Sequence, residues 1–231
     1  MSTAKLEVLT PENSQLIFID HQPQMAFGVQ SIDRQTLKNN VAALAKSAKV
    51  FDIPTIITTV ETESFSGHTF PELLDVFPET PILERTSMNS WDDQKVRDAL
   101  AENGRKKVVV SGLWTEVCNT TFAISAMLEG GYEIYMVADA SGGTSLDAHN
   151  YSMDRMVQAG VVPVTWQQVA LEWQRDWARR GTYDALMNVV KEHSGAFGMG
   201  YDYASTLVHG NPERVKHGPR IDPVAAPIAA E

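Results

Sequence analysis

The sequence predicts a three-layer α/β fold, in which a doubly wound sheet of about six parallel strands is flanked by helices. Short, almost continuously apolar runs alternate along the chain with longer segments whose apolar residues recur at helical spacing. Strands that are apolar on both faces are typical of a parallel sheet covered by helices on each side. The chain has 231 residues, 43% hydrophobic and 21% charged, which is typical of one large globular domain.

Six strands are expected, each a run rich in aliphatic or β-branched residues. In chain order they are residues 15–19 (QLIFI), 54–59 (PTIITT), 81–84 (PILE), 107–111 (KVVVS), 133–138 (EIYMVA) and 161–165 (VVPVT). The spacing of these runs leaves room for a helical crossover between most neighbours. That alternation is the pattern of a Rossmann-like sheet.

Helices are expected between and after these strands. In chain order they are residues 31–51, 91–103, 118–128, 145–159, 166–177 and 183–192. In the first of them Leu37, Val41 and Leu44 repeat at helical spacing. A glycine-rich stretch after residue 192 is expected to form a turn.

The expected domain covers residues 1–210, with its core at about residues 9–177. From residue 211 to residue 231 the sequence has four prolines, little periodicity and mostly small side chains. This composition predicts an extended or disordered C-terminal tail.

The net charge and the cysteine content of the chain indicate which binding partners and which cellular compartment to expect. The net charge of −10 disfavours nucleic acid and anionic membrane surfaces, so a small-molecule substrate is expected. The single cysteine excludes an intramolecular disulfide and agrees with a reducing compartment. No apolar run approaches the ~18 residues of a membrane span. We therefore expect a cytoplasmic protein.

Several motifs of common enzyme classes are absent from the sequence. There is no G-x-S-x-G motif of serine hydrolases, and neither the dinucleotide nor the P-loop glycine pattern occurs. The six histidines show no paired metal-ligand spacing, although His21 and His68 could meet near one edge of the sheet. The sequence thus predicts no metal and no cofactor.

Three polar groups follow strands whose carboxyl ends should meet at one edge of the sheet. They are Asp20, the Glu84-Arg85 pair and Cys118. A cysteine near a helix start can be stabilised as a thiolate by backbone N–H groups and the helix dipole. An acid that accepts the thiol proton and a cation that fixes the charge would complete a set for amide hydrolysis. Each residue also has a structural alternative: a loop cap for Asp20, a surface ion pair for Arg85, and core packing for Cys118.

Together these segments resemble the isochorismatase-like cysteine hydrolase superfamily, and within it the YcaC-type hydrolases. The resemblance is carried by LIFIDHQ, PTIITT, ERTSMNSWDD and VVVSGLWTEVCNTTFAISAMLEGGYEIYMVADASG, and it extends over roughly three quarters of the chain. It implies a six-stranded parallel sheet and a catalytic triad of Asp20, Arg85 and Cys118. It also implies a cis peptide bond at Leu113-Trp114, with an oxyanion hole made by the backbone N–H groups of Trp114 and Cys118.

Two departures from wider family patterns narrow the expected chemistry. The triad cation is usually lysine, and arginine at position 85 can stabilise charge but cannot shuttle protons. The nicotinamidase-type Asp-x-His metal motif has no counterpart at residues 60–63 (VETE). Isochorismatases proper lack the nucleophilic cysteine, so the presence of Cys118 favours acyl chemistry.

The leading hypothesis is a cysteine-dependent hydrolase of C–N bonds in a small amide, imide or N-carbamoyl compound, acting through a thioester. The residues expected to contact substrate are Gln22, Phe27, Phe65, His68 and Trp114. One alternative is a non-hydrolytic binding or redox-sensing protein, because a reactive thiol beside a cation also reacts with peroxide. Another is an assembly role through a stripe of Trp166, Trp173 and Trp177. Family likeness suggests a homo-oligomer.

Overall fold

The structure, a computed structural model, describes residues 6–210. The sheet contains six strands, all of them parallel to their neighbours, in the order β3-β2-β1-β4-β5-β6. The strands are β1 (Ser14–Ile19), β2 (Thr55–Val60), β3 (Ile82–Arg85), β4 (Lys107–Gly112), β5 (Glu133–Val137) and β6 (Val162–Val164). The predicted three-layer α/β fold is confirmed. The predicted tail, residues 211–231, lies outside the described residues.

Helices cover both faces of the sheet. They are α1 (Pro23–Phe27), α2 (Arg34–Val50), α3 (Pro71–Val76), α4 (Gln94–Asn103), α5 (Thr120–Gly130), α6 (Leu146–Ala159), α7 (Trp166–Gln174), α8 (Arg180–His193) and α9 (Ala196–Tyr203). Helix α2 packs against α3, α7 and α8, whereas α5 packs against α6. No helix within residues 6–210 is both long and apolar enough to cross a membrane.

The core lies where the central strands are buried on both faces. Every residue of β1 and β4 is buried, and Ile17 of β1 pairs with Ile56 on one side and Val110 on the other. The chain moves outward in opposite directions from β1 and β4, so the strand order reverses between them. A sheet of this kind opens a crevice at the carboxyl ends of those two strands, which positions the candidate site.

Three helices differ from the sequence-based expectation, and the first is the short α1, which forms directly after β1 where no helix was expected. Helix α3 forms inside the expected loop after β2, where Pro71 begins the helix and Leu73 is fully buried. The glycine-rich stretch expected to turn forms α9 instead. A Cβ at Gly198 would lie 2.7 Å from the carbonyl oxygen of Val190, so the glycine permits α9 to pack closely against α8.

The tryptophan stripe is mostly part of the core. Trp173 is fully buried and Trp166 nearly so, and the Trp173 indole donates to the Ser14 hydroxyl at 2.9 Å. Trp177 is half-exposed and packs edge-on against Tyr183. Core packing therefore accounts for two of the three side chains, and the stripe does not form a continuous outer surface.

Candidate active site

Asp20 follows β1 directly and is completely buried. Its backbone has a φ of +57°, in the left-handed region that non-glycine residues seldom adopt and that recurs at functional sites. The Asp20 N–H donates to the carbonyl of Thr58 at 3.1 Å, and the Thr58 hydroxyl donates to Asp20 Oδ1 at 3.2 Å. The end of β2 therefore fixes both the backbone and the carboxylate of Asp20.

Arg85 is the last residue of β3, and its guanidinium is buried against Asp20. Nη2 of Arg85 donates to Asp20 Oδ2 at 2.6 Å, and Nη1 donates to the carbonyl of Ser87 at 2.8 Å. A buried carboxylate is costly unless it is paired, and Arg85 supplies that pair. Glu84 points elsewhere, accepting hydrogen bonds from Thr59 and Thr62.

Cys118 lies in a π-helical turn, Thr115–Asn119, between β4 and α5. Its thiol lies beside the Asp20 carboxylate, close enough for each group to affect the pKa of the other, and the backbone N–H of Trp114 lowers the pKa of the thiol. The predicted cis peptide bond at Leu113-Trp114 is present. The acid, the cation and the thiol thus converge at the carboxyl edge of the sheet.

The environment of Cys118 opposes ionisation, contrary to the expectation from its place near a helix start. Burial, and then the adjacent negative charge of Asp20, raise the pKa of the thiol to about 12, although Arg85 acts in the opposite direction. Burial likewise raises the pKa of Asp20 above its usual range, against the lowering effects of Arg85 and Thr58. Without a ligand, the thiol is therefore protonated at neutral pH.

A pocket of about 360 Å³ opens onto Cys118. Most of the side chains around it are apolar; the lining residues are Met25, Val60, Glu61, Ser64, Phe65, Ser66, Thr86, Met88, Trp114, Val117 and Cys118. The indole of Trp114 is held on the wall because its Nε1 donates to the carbonyl of Met25 at 2.7 Å. A pocket of this volume, with mostly apolar walls and a thiol among them, suits a small, mostly apolar ligand.

Of the five residues expected to contact substrate, Phe65 and Trp114 line this pocket, whereas Gln22, Phe27 and His68 do not. Gln22 is fully buried because its amide bonds the carbonyls of Val60 and Gly67 and the N–H of Val60. Phe27 is 70% exposed. The exposed His68 borders a neighbouring cavity instead.

Sequence reasoning missed Ser66, Met88 and Met25 as pocket residues. They reach the pocket from the turn after β2, the loop after β3 and helix α1, respectively. Each follows a strand that ends at this edge, and that was the only available signal. Within residues 6–210, no group of three His, Cys, Asp or Glu side chains is placed to hold a metal ion.

The six-stranded parallel sheet with a buried acid, cation and thiol at its carboxyl edge is the arrangement expected of an isochorismatase-like hydrolase. Residues 14–168 match the family model of the isochorismatase domain. The chain belongs to the isochorismatase family.

The relatives that it resembles include YcaC proteins. The probable hydrolase YcaC of Escherichia coli is 36% identical over 186 residues, covering 80% of this chain and 88% of that protein. The crystal structure of the Escherichia coli protein, described as an octameric hydrolase of unknown specificity, has a TM-score of 0.82 and covers 87% of this chain and 97% of that chain. The YcaC structure from Pseudomonas aeruginosa, which contains hexane-2,5-diol and covalent acrylamide, also has a TM-score of 0.82, with 30% identity over 87% of this chain and 98% of that chain.

Proposed function

We propose that this protein is a cysteine-dependent hydrolase that cleaves a C–N bond in a small amide, imide or N-carbamoyl compound through a thioester. The observation that carries this proposal is the placement of the Cys118 thiol beside the buried Asp20 carboxylate, which is paired with Arg85, at the wall of a pocket. A nucleophile in contact with a base is the arrangement that covalent catalysis requires.

In the proposed reaction Asp20 takes the proton of the Cys118 thiol as the sulfur attacks the carbonyl carbon. The backbone N–H groups of Trp114 and Cys118 stabilise the resulting oxyanion. The intermediate collapses, the C–N bond breaks, and Asp20 returns the proton to the leaving nitrogen, which departs as ammonia or an amine. A water then loses a proton to Asp20 and attacks the thioester; the C–S bond breaks and the proton returns to sulfur.

Arg85 keeps its proton throughout this cycle because guanidinium does not titrate in the working range. Its bond to Asp20 stabilises the carboxylate form, which is the form that accepts the thiol proton. Because the pKa of the Cys118 thiol is raised, the proposed mechanism transfers the thiol proton to Asp20 as the sulfur attacks. It does not require a thiolate in the free enzyme.

The Pseudomonas aeruginosa YcaC structure supports a reactive nucleophile in a protein of this fold, because it contains covalent acrylamide and superposes on this chain with a TM-score of 0.82. The redox-sensing alternative has less support, since peroxide reacts with thiolates and burial keeps the pKa of Cys118 at about 12.

The experiment that tests the proposed function measures ammonia release from primary amides, N-carbamoyl compounds and cyclic imides. We expect turnover by the wild type and, for Cys118→Ala, a loss of at least about 1000-fold with an unchanged fold by circular dichroism. Equal rates for the two proteins would overturn the proposal.

We also propose that the protein acts in the cytoplasm as a homo-oligomer. An octameric relative and several exposed apolar side chains support association, among them Leu128, Tyr151 and Leu207. Light scattering coupled to size-exclusion chromatography measures the assembly mass; the 25.5 kDa mass of a single chain would contradict association.

A further inference from the structure

The turn that carries Cys118 is tied to helix α6 by a hydrogen bond between two side chains. Thr115, the first residue of the turn, is completely buried, and its Oγ1 lies 2.8 Å from Nδ1 of His149. His149 lies in the first turns of α6, where its N–H donates to the carbonyl of the N-cap residue Ser145 at 3.1 Å. The bond therefore joins the turn of the candidate nucleophile to a separate helix.

The direction of this bond follows from burial. The Thr115 hydroxyl has one hydrogen, and among residues 6–210 its hydrogen-bond partner is His149 alone. Buried donors are nearly always satisfied, so the hydroxyl donates, Nδ1 accepts, and the ring hydrogen lies on Nε2. Burial lowers the pKa of His149, although the negative charge of Glu116 acts in the opposite direction. The ring is therefore neutral at neutral pH, as an acceptor must be.

Other bonds fix the same end of the turn to the loop after β5. The N–H of Thr115 donates to the carbonyl of Gly142 at 2.9 Å, and Glu116 Oε1 accepts from the N–H and the hydroxyl of Thr144. A Cβ at Gly143 would lie 2.7 Å from Glu116 Oε2 and 3.1 Å from the backbone nitrogen of His149. The turn, the loop and α6 are thus in close contact around the bond between Thr115 and His149.

The bond acts on the segment that places the thiol. The carbonyl of Thr115 accepts from the hydroxyl of Thr120 at 2.7 Å, so the first residue of the turn is also fixed to the start of α5. Cys118 lies between these two threonines, and Trp114 directly precedes them. A displacement of about 1 Å at a reacting group can cost about 100-fold in rate, so a fixed Thr115 matters for the position of Cys118.

We propose that His149 is a positioning residue, which accepts the Thr115 hydroxyl and thereby holds the Cys118 thiol beside Asp20. This rests on the proposed function, since it takes Cys118 as the attacking group. His149 is not among the residues that line the pocket, so it acts through Thr115 and not on the substrate.

One test compares two replacements of His149 in the ammonia-release assay. His149→Leu keeps a side chain of similar bulk but removes the acceptor, whereas His149→Asn can place its Oδ1 where Nδ1 lies. We expect kcat to fall about 10- to 100-fold in His149→Leu with KM within about twofold, because the substrate pocket is unchanged. His149→Asn should stay within about threefold of the wild-type kcat. A wild-type kcat in His149→Leu, or an equal loss in both variants, would contradict the proposal.

The matched control is His193→Leu, which removes a comparable bond elsewhere. His193 Nδ1 lies 2.9 Å from Asn39 Oδ1 and joins α8 to α2, and burial lowers the pKa of His193 as well. His193→Leu should lower the melting temperature and leave kcat unchanged. If the role of His149 were merely structural, His149→Leu would show that same result.

Thr115→Val keeps the proposal testable if His149→Leu does not fold. Valine has the shape of threonine but cannot donate, so Thr115→Val should lower kcat as His149→Leu does. In the double variant the loss should not exceed that of either single variant, because each change removes the same bond. Additive losses would show that the two residues act separately and would overturn the proposal.

A second test does not need turnover. The single cysteine allows alkylation by iodoacetamide to be followed by intact mass at about pH 8. The wild type should react slowly, because burial and Asp20 raise the pKa of the thiol to about 12. His149→Leu should free the thiol from both effects and react at least about fivefold faster, whereas His149→Asn and His193→Leu should react at the wild-type rate. A wild-type rate in His149→Leu would overturn the proposal.

The two tests separate the two proposals. Faster alkylation in His149→Leu without turnover of any amide by the wild type would retain the positioning role and reject the hydrolytic function. Turnover that depends on Cys118, with wild-type kcat and a wild-type alkylation rate in His149→Leu, would retain the hydrolytic function and reject the role of His149.

Discussion

At the residue scale, the pairing of Arg85 with Asp20 is the interaction on which the site most depends. Arg85→Met would leave a buried carboxylate without a partner and should lower the free energy of unfolding by roughly 3–5 kcal/mol. It should also raise the pKa of Asp20 further, so the acid limb of the pH–kcat/KM profile should move to higher pH.

Arg85→Lys serves as the second variant if Arg85→Met does not fold. Arg85→Lys retains the positive charge, so we expect it to lose less activity than Arg85→Met. It should still be less active than the wild type, because one ammonium group cannot replace a guanidinium that donates to both Asp20 and Ser87. Chemical denaturation and a pH profile of each variant measure these effects. A wild-type profile in Arg85→Met would show that the ion pair does not serve the reaction.

His21, next to Asp20, is buried in its neutral form. The Ser111 hydroxyl donates to the carbonyl of Ala140 at 2.6 Å, so it must accept from His21 Nε2, 2.9 Å away. Burial lowers the pKa of His21 to about 3. The ring is therefore uncharged at neutral pH and contributes packing against Phe18 and Phe70.

This burial predicts a loss of stability in acid. Between the ordinary histidine pKa of about 6.5 and the folded value of about 3, the unfolded chain binds more protons than the folded chain. The free energy of unfolding should therefore fall as pH drops through that window, by up to about 1.4 kcal/mol per pH unit from this group. Urea titrations should show a shallower fall for His21→Gln. The exposed His68, changed to Gln, is the control; if its slope changed as much as that of His21→Gln, the assignment to His21 would be wrong.

At the element scale, the junction between β4 and the turn that carries Cys118 is tightly braced. Asn119 Nδ2 donates back to the carbonyl of Gly112 at 3.0 Å, and the N–H of Leu113 donates to the carbonyl of Ile19. A Cβ at Gly112 would lie 2.2 Å from Asn119 Oδ1 and 2.8 Å from the carbonyl oxygen of Ile19. Only glycine fits where β1, β4 and the cysteine turn meet.

Gly112→Ala should therefore destabilise the fold by about 1–3 kcal/mol and displace Cys118 from Asp20, with a loss of activity. Gly181→Ala is the matched control, because a Cβ there meets nothing within 4 Å and alanine favours the helix α8. Thermal unfolding and ammonia release measure both variants. The same melting temperature and the same rate in the two would contradict the packing argument.

At the scale of the whole molecule, the sequence was sufficient for the sheet and for the location of the site. Six apolar runs predicted six strands, because both faces of a parallel sheet must be buried. The short helices α1 and α3 were not predicted, because five and six residues are too few to show helical periodicity. Helix α9 escaped because glycine disfavours helices locally, and its packing against α8 is a tertiary effect.

The protonation state of Cys118 and the role of Gln22 could not be predicted, because both depend on burial in the folded chain. Position near a helix start suggested a thiolate at Cys118, but burial beside Asp20 raises the pKa of the thiol to about 12. Gln22 was predicted to contact substrate because it is a polar residue just after β1. In the structure its side-chain amide instead hydrogen-bonds the backbone of Val60 and Gly67, at the end of β2 and in the turn that follows.

The central claim is that Cys118 carries the acyl group during turnover, and the most direct measurement is the intact mass of protein quenched in acid while it hydrolyses an amide. The account predicts an acyl mass on the peptide that contains Cys118, the single cysteine of the chain, and neither that mass nor ammonia release in Cys118→Ala. Ammonia release at the wild-type rate by Cys118→Ala would contradict it.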